Sequence, residues 1–260
     1  MTISSTKTRY RDNFYYYNND EVIGRSLQLY GEYGQAELDF LLWVCDQRYT
    51  VYDVGANIGV YASALASAGA QVYAFEPNPR NFSLLKQNTQ GLTNVHCHQT
   101  AVGNSFGKIF IEDFNPEEPG NYGTMSIKHN RGVQVDLMAL DHLDIPMPNL
   151  IKIDVEGAEL DVLLGCKKKI AESVPCIVYE AHETAQFSEI WHFLKQFDYR
   201  LYWLQCMNYN PKNFNQNSED VFQHTALFSV VAWPPEWPLT LTAEEVTGPD
   251  DDWHKFEGQR

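Results

Sequence analysis

No run of this 260-residue sequence stays apolar over the length of a membrane span, and residues 1–19 are polar and tyrosine-rich, without the apolar segment of a signal peptide. The expectation is a cytoplasmic protein with no membrane partner. Positive charge is scarce as well: 19 Lys and Arg stand against 34 Asp and Glu, a formal net charge of −15. Binding a polyanion by neutralising its phosphates needs clustered cations, so nucleic acid is a poor partner for this chain. The run Lys167-Lys168-Lys169 reads as the solvated end of a helix, where it would complement the helix dipole. The five cysteines (Cys45, Cys97, Cys166, Cys176, Cys206) are scattered, odd in number and never in a C-x-x-C pair. That pattern indicates neither a zinc site nor a disulfide framework.

What is present is concentrated between Tyr49 and Asn78. A β-branched and aromatic run (Val51, Tyr52, Val54) reads as a strand, Gly55 and Gly59 bracket a tight turn, and Val60 to Ala68 is alanine-rich enough to be helical. A second strand from Val72 ends at Glu76, where Pro77 stops it. Ligands of parallel α/β sheets lie beyond the carboxyl ends of the strands, so the turn and Glu76 face one crevice. Dinucleotide sites place three glycines as G-x-G-x-x-G, because the backbone must approach a pyrophosphate. Here the third glycine is missing: Asn57 stands between Gly55 and Gly59, and Asp53 precedes the turn. An acid at that place suits an ammonium or sulfonium better than a phosphate. S-Adenosylmethionine is such a ligand, and Glu76, 23 residues after Asp53, would accept hydrogen bonds from both ribose hydroxyls. A nicotinamide-dependent oxidoreductase is the alternative, disfavoured by the missing glycine; a non-catalytic binding module of the same fold is another.

The rest of the chain reads as residues 1–35 forming an N-terminal arm, irregular over its first 20, then a main domain at 36–232 and a tail at 233–260 with partial order at best. Within the main domain a helix spans Ala36 to Asp46, Asn78 or Asn81 caps a helix to about Asn88, and Asn94 to His98 is a third strand. Residues 103–137, punctuated by glycines, form a hairpin-rich insertion. A buried-strand pattern at Leu150 to Asp154 leads into a helix through Ile170, and Pro175 to Tyr179 is the fifth strand. A helix from Thr184 to Gln196 and strands at Arg200 to Leu204 and Ala226 to Ala232 follow, with an Asn-rich loop at 205–224 between them. The β-α alternation has a doubly wound α/β sheet, mainly parallel, as its simplest solution.

Three acid–base candidates fall at strand ends on the rim that carries Glu76: Asp154, Glu180 and His182. A neutral hydroxyl is a weak nucleophile, and chemistry at one requires a group that takes its proton. His182 suits neutral pH, and Asp154 suits either that role or the amino end of the cofactor. Glu156 and Glu159 fit the first turn of the following helix. Asp154, Glu156, Glu180 and His182 would also suit Mg²⁺ or Mn²⁺, although no spacing requires a metal. Tyr122 and the loop from Asn210 to Phe214 are candidates for lining an acceptor pocket.

Four motifs, Asp53-Val-Gly-Ala-Asn-Ile-Gly59, Ala74-Phe-Glu-Pro-Asn-Pro79, Ala101-Val-Gly103 and Ile151-Lys-Ile-Asp-Val-Glu-Gly-Ala-Glu159, together resemble the FkbM family of S-adenosylmethionine-dependent methyltransferases. The resemblance runs from about Tyr30 to Phe214; Met138-Ala-Leu-Asp141 departs from the Thr-Leu-Asp usual in the family. It implies a class I, Rossmann-like methyltransferase domain with a seven-stranded sheet whose last strand is antiparallel. It also implies S-adenosylmethionine as cofactor, held by Asp53, Gly55, Asn57, Gly59, Glu76, Pro77, Ala101 and Asp154. O-Methylation of a small-molecule or glycan acceptor, such as a saccharide, is the implied activity.

Overall fold

The computed structural model describes residues 2–124, 127–128, 132–181, 184–238 and 240–256, without the side chains of 127, 128, 184 and 185. The chain opens with a hairpin of β1 (Ile3–Thr6) and β2 (Phe14–Tyr17), followed by α1 (Ile23–Tyr30) and α2 (Gln35–Val44). The next unit is β3 (Thr50–Val54), α3 (Val60–Ser67), β4 (Gln71–Phe75), α4 (Pro79–Asn88) and β5 (Val95–His98). The insertion carries β6 (Ala101–Val102), β7 (Gly107–Ile111), β8 (Ile127–Lys128) and β9 (Val133–Met138), paired as a separate four-stranded sheet. Then come β10 (Leu150–Ile153), α5 (Glu159–Gly165), α6 (Lys167–Ser173), β11 (Cys176–Glu180), α7 (Thr184–Lys195), β12 (Arg200–Met207) and β13 (Ala226–Trp233).

The central sheet has the strand order β12-β13-β11-β10-β3-β4-β5. All neighbours are parallel except β13, which runs antiparallel to both β11 and β12. Strand β3 is buried at every position, as a parallel strand covered on both faces must be. Tyr52, Ile151 and Ile153 pack towards α5, α6 and α7, whereas Val51, Leu150 and Val178 pack towards α2 and α3. Winding runs outward from β3 to β5 and then restarts at β10, so the order reverses between β3 and β10. That is the topological switch point, where sheets of this kind open a crevice. No helix among the described residues is long and apolar enough to cross a membrane.

Local chemistry explains the elements around the crevice. Asn78 caps α4 by accepting from the backbone N–H of Arg80 and Asn81, with Pro79 at the first helical position. Gly55 has φ +83°, and a Cβ there would lie 1.7 Å from the carbonyl oxygen of Asp154. Only glycine lets the ends of β3 and β10 approach so closely.

Four expectations need correction. The arm is ordered: β1 pairs with β2, and Phe14, Tyr16 and Tyr17 are buried with Leu27 of α1, so its tyrosines are core rather than decoration. The lysine run begins α6 instead of ending a helix, because the chain breaks at Cys166. The dipole there opposes the lysines, and Asp141 offsets it by accepting from the N–H groups of Lys168 and Lys169. Strand β12 continues to Met207, so the Asn-rich loop is shorter than expected. The tail packs on the exposed edge of β12: Trp203 N–H donates to Glu244 O at 2.8 Å and Val246 N–H to Leu201 O at 2.9 Å. An edge strand this long needs such cover.

Candidate active site

An open cleft lies at the carboxyl ends of β3, β4, β10 and β11. Its floor is the turn after β3, its sides are the residues following β4 and β10, and Ala101, Val102, Ile109 and Ile111 of the insertion close one end. The outer wall comes from distant segments. Val22 and Ile23 of the arm stand beside Asn121, Gly123 and Thr124. Backbone bonds join the two segments, from Glu21 N–H to Gly120 O at 2.9 Å and from Gly120 N–H to Asn19 O at 3.1 Å.

Glu76 is buried in this floor. Its Oε2 accepts from the N–H of Asn57 at 2.9 Å and its Oε1 from the N–H of Asn78 at 2.8 Å. Asn57 holds φ +50°, a strained conformation that aims its N–H at the carboxylate. Burial pushes the Glu76 carboxyl up to about 7, against the pull of these two donors. Each carboxylate oxygen has further lone pairs, so the group can also receive the two hydroxyls of a ribose. The residues present therefore fit an adenosyl ligand without phosphates: one acid for the diol, a two-glycine turn, and apolar walls.

Of the residues expected to hold the cofactor, Gly55, Asn57, Glu76, Pro77, Ala101 and Asp154 line the cleft. Gly59 caps α3 beneath it. Asp53 is a correction: it is 0% exposed and lies on the α2–α3 side of the sheet, opposite Lys152 in the β3–β10 register. Burial pushes its carboxyl up to about 6, with Lys152 opposing that shift. Side chains alternate along a strand, which sets Asp53 on the same face as Lys152 but, unlike Lys152, outside the lining of the cleft.

At the other side of the cleft Asp154, Glu156 and Glu180 bring carboxylate oxygens within 4.8 Å of one another. Burial, and then Asp154 beside it, pushes Glu180 up to about 11. It is hydrogen-bonded with Asp154, an arrangement of two carboxyls that favours a proton shared by the pair. His182 lies outside the described residues. Sequence reasoning missed Lys152, whose Nζ sits 2.9 Å from Asp154 Oδ2 and 4.3 Å from the Tyr61 ring centroid. The available signal was a single cation inside the apolar run Leu150-Ile-Lys-Ile153. Tyr33 and Tyr61 also line the cleft and were not singled out.

The acceptor-pocket candidates are a second correction. Tyr122 is 3% exposed and stacks on Phe114 at 4.2 Å, with its hydroxyl donating to the carbonyls of Asn115 and Glu118. It packs the wall from behind while its neighbours Asn121 and Gly123 face the cleft. Asn210 and Phe214 do not line the cleft. The amide of Asn210 and the N–H of Phe214 donate to the buried Glu32, at 2.7 and 2.8 Å, and tie the Asn-rich loop to the arm.

The sequence model of the Methyltransferase FkbM domain matches residues 53–201. The hexuronic acid methyltransferase AglP of Haloferax volcanii is 33% identical over 167 residues, which are 62% of this chain and 67% of that protein. The 2-O-methyltransferase NoeI of Sinorhizobium fredii is 24% identical over 147 residues, 47% of this chain and 59% of that protein. The chain thus spans about three fifths to two thirds of the length of these relatives. A crystal structure of an S-adenosylmethionine-dependent methyltransferase from Agrobacterium tumefaciens shares the fold at TM-score 0.50 and 9% identity, over 91% of this chain and 71% of that one. With the domain match covering more than half of its sequence, the chain belongs to the FkbM methyltransferase family, and S-adenosylmethionine is its methyl donor.

Proposed function

We propose that this chain methylates a hydroxyl oxygen of a saccharide-type acceptor, with Asp154 as the group that takes the hydroxyl proton. The observation that carries the reading is the grouping of Asp154, Glu180 and Lys152 on the rim shared with Glu76. The names of two relatives, a hexuronic acid methyltransferase and a 2-O-methyltransferase, supply the acceptor class.

S-Adenosylmethionine, when bound, supplies an electrophilic methyl carbon on a sulfonium. Glu76 would hold the ribose hydroxyls of the donor with the free lone pairs of its two carboxylate oxygens. The acceptor hydroxyl enters between the wall of Val22, Ile23, Asn121 and Thr124 and the carboxylates. As the hydroxyl oxygen bonds the methyl carbon, the carbon–sulfur bond would break and its electron pair leave on the neutral thioether sulfur, while Asp154 accepts the hydroxyl proton and its hydrogen bond with Glu180 orients it. Alignment of acceptor and donor in the cleft accounts for much of the acceleration, so the base needs only modest strength. The divalent metal weighed from the sequence is not needed for this scheme.

The test is transfer of labelled methyl from S-adenosylmethionine to a panel of saccharides. Asp154→Asn should lower the rate by about 10²-fold or more with little change in S-adenosylhomocysteine affinity. Binding of S-adenosylhomocysteine without transfer to any hydroxyl acceptor would instead describe a binding module.

A further inference from the structure

Lys152 is 3% exposed, yet its ammonium borders the cleft. Asp154 grips it from its own strand, at 2.9 Å, and the Tyr61 ring of α3 lies under it at 4.3 Å. Asp53 faces it from β3 and Glu37 from α2. Glu37 is fixed in turn: the Ser229 hydroxyl of β13 donates to its Oε1 at 2.6 Å. A buried cation held from four elements is expensive to keep unless it does something for the site.

We propose that Lys152 is a positioning residue that holds Asp154 at the rim and counterbalances the cleft's carboxylates, so that the donor's sulfonium is not bound too tightly. The inference rests on the methyltransferase reading. The donor carries a positive sulfur and the product a neutral thioether, so each uncompensated carboxylate nearby favours the ground state and raises the barrier to transfer. Lys152 supplies the opposing charge from behind Asp154 and leaves the acceptor's path open. Its tie to Asp154 also fixes one carboxylate oxygen and thereby sets the direction of the other.

The ratio of S-adenosylmethionine to S-adenosylhomocysteine affinity reads this charge directly, because the two ligands differ by the sulfonium methyl. A purely structural role would move both affinities together. By calorimetry at low salt, Lys152→Met should raise the preference for S-adenosylmethionine by about 10-fold, and Lys152→Arg should restore the wild-type ratio. Glu37→Gln lies outside the main cleft and removes an anion behind Lys152, so it should lower the same ratio by about 3-fold. It keeps the idea testable if Lys152→Met does not fold. An unchanged ratio in a folded Lys152→Met or Glu37→Gln protein overturns the proposal. A wild-type protein that binds neither ligand overturns the methyltransferase reading itself.

Discussion

Glu76 and Glu180 both stand at carboxyl ends of strands in one sheet, and burial raises both, to about 7 and about 11. Their surroundings separate them. The strand end at Glu76 presents two backbone N–H groups, from Asn57 and Asn78, which favour the ionised form. The strand end at Glu180 presents two further carboxylates, from Asp154 and Glu156, which favour the protonated form. The first therefore suits hydroxyl donors, which favour its anion; the second suits a proton kept between neighbouring carboxyls. Residue type alone does not assign a role, because identical side chains on one rim are set apart by the donors and charges within reach.

The largest expected effect removes the junction on which both ends depend. Gly55→Ala would place a Cβ 1.7 Å from Asp154 O and push β3 off β10. A loss of about 3 kcal/mol or more should appear as a lower urea midpoint, and an unchanged midpoint would mean that the strand ends do not meet. Next, Glu76→Ala should weaken S-adenosylhomocysteine binding by about 10- to 100-fold, the worth of one or two hydrogen bonds to a charged group. A third test sharpens the Glu180 side. Between its ordinary value near 4.5 and about 11, Glu180 keeps a proton in the folded protein that the unfolded chain releases. Wild-type stability therefore falls as pH rises through that window, and Glu180→Gln, which has no proton to hold, should show a shallower fall between pH 5 and 9. Equal slopes in urea midpoint would deny Glu180 its raised pKa.

The Glu76 side was legible in the sequence and the Glu180 side only in part. Gly55, Asn57 and Glu76 belong to two local motifs, and chain connectivity through one helix brings those motifs to a common rim. Asp53 sits in the same motif, yet it is fully buried opposite Lys152 and outside the cleft lining, a placement that depends on the neighbouring strand. Lys152 stayed hidden for the same reason: in the sequence it only interrupts an apolar run. The wall of Val22, Ile23, Asn121 and Thr124 is tertiary, made when a bridge between Asp20 and Gly120 joins segments about a hundred positions apart. Loop position likewise suggested Tyr122, Asn210 and Phe214 without showing that one turns into an aromatic cluster and the others towards Glu32. The alternation of strand and helix patterns pointed to a doubly wound sheet, because it leaves few topologies open, whereas the count of seven strands and the antiparallel last one came from the family resemblance.

The most direct test of the account is S-adenosylhomocysteine affinity by calorimetry from pH 6 to 8.5, in the wild type and in Glu76→Gln. Ribose hydroxyls donate to an ionised carboxylate, so below about 7 the free protein must give up a proton before it binds. Affinity should strengthen as pH rises through that point in the wild type and stay flat in Glu76→Gln. No binding at any pH, or the same pH dependence in both proteins, would contradict the placement of the cofactor on Glu76.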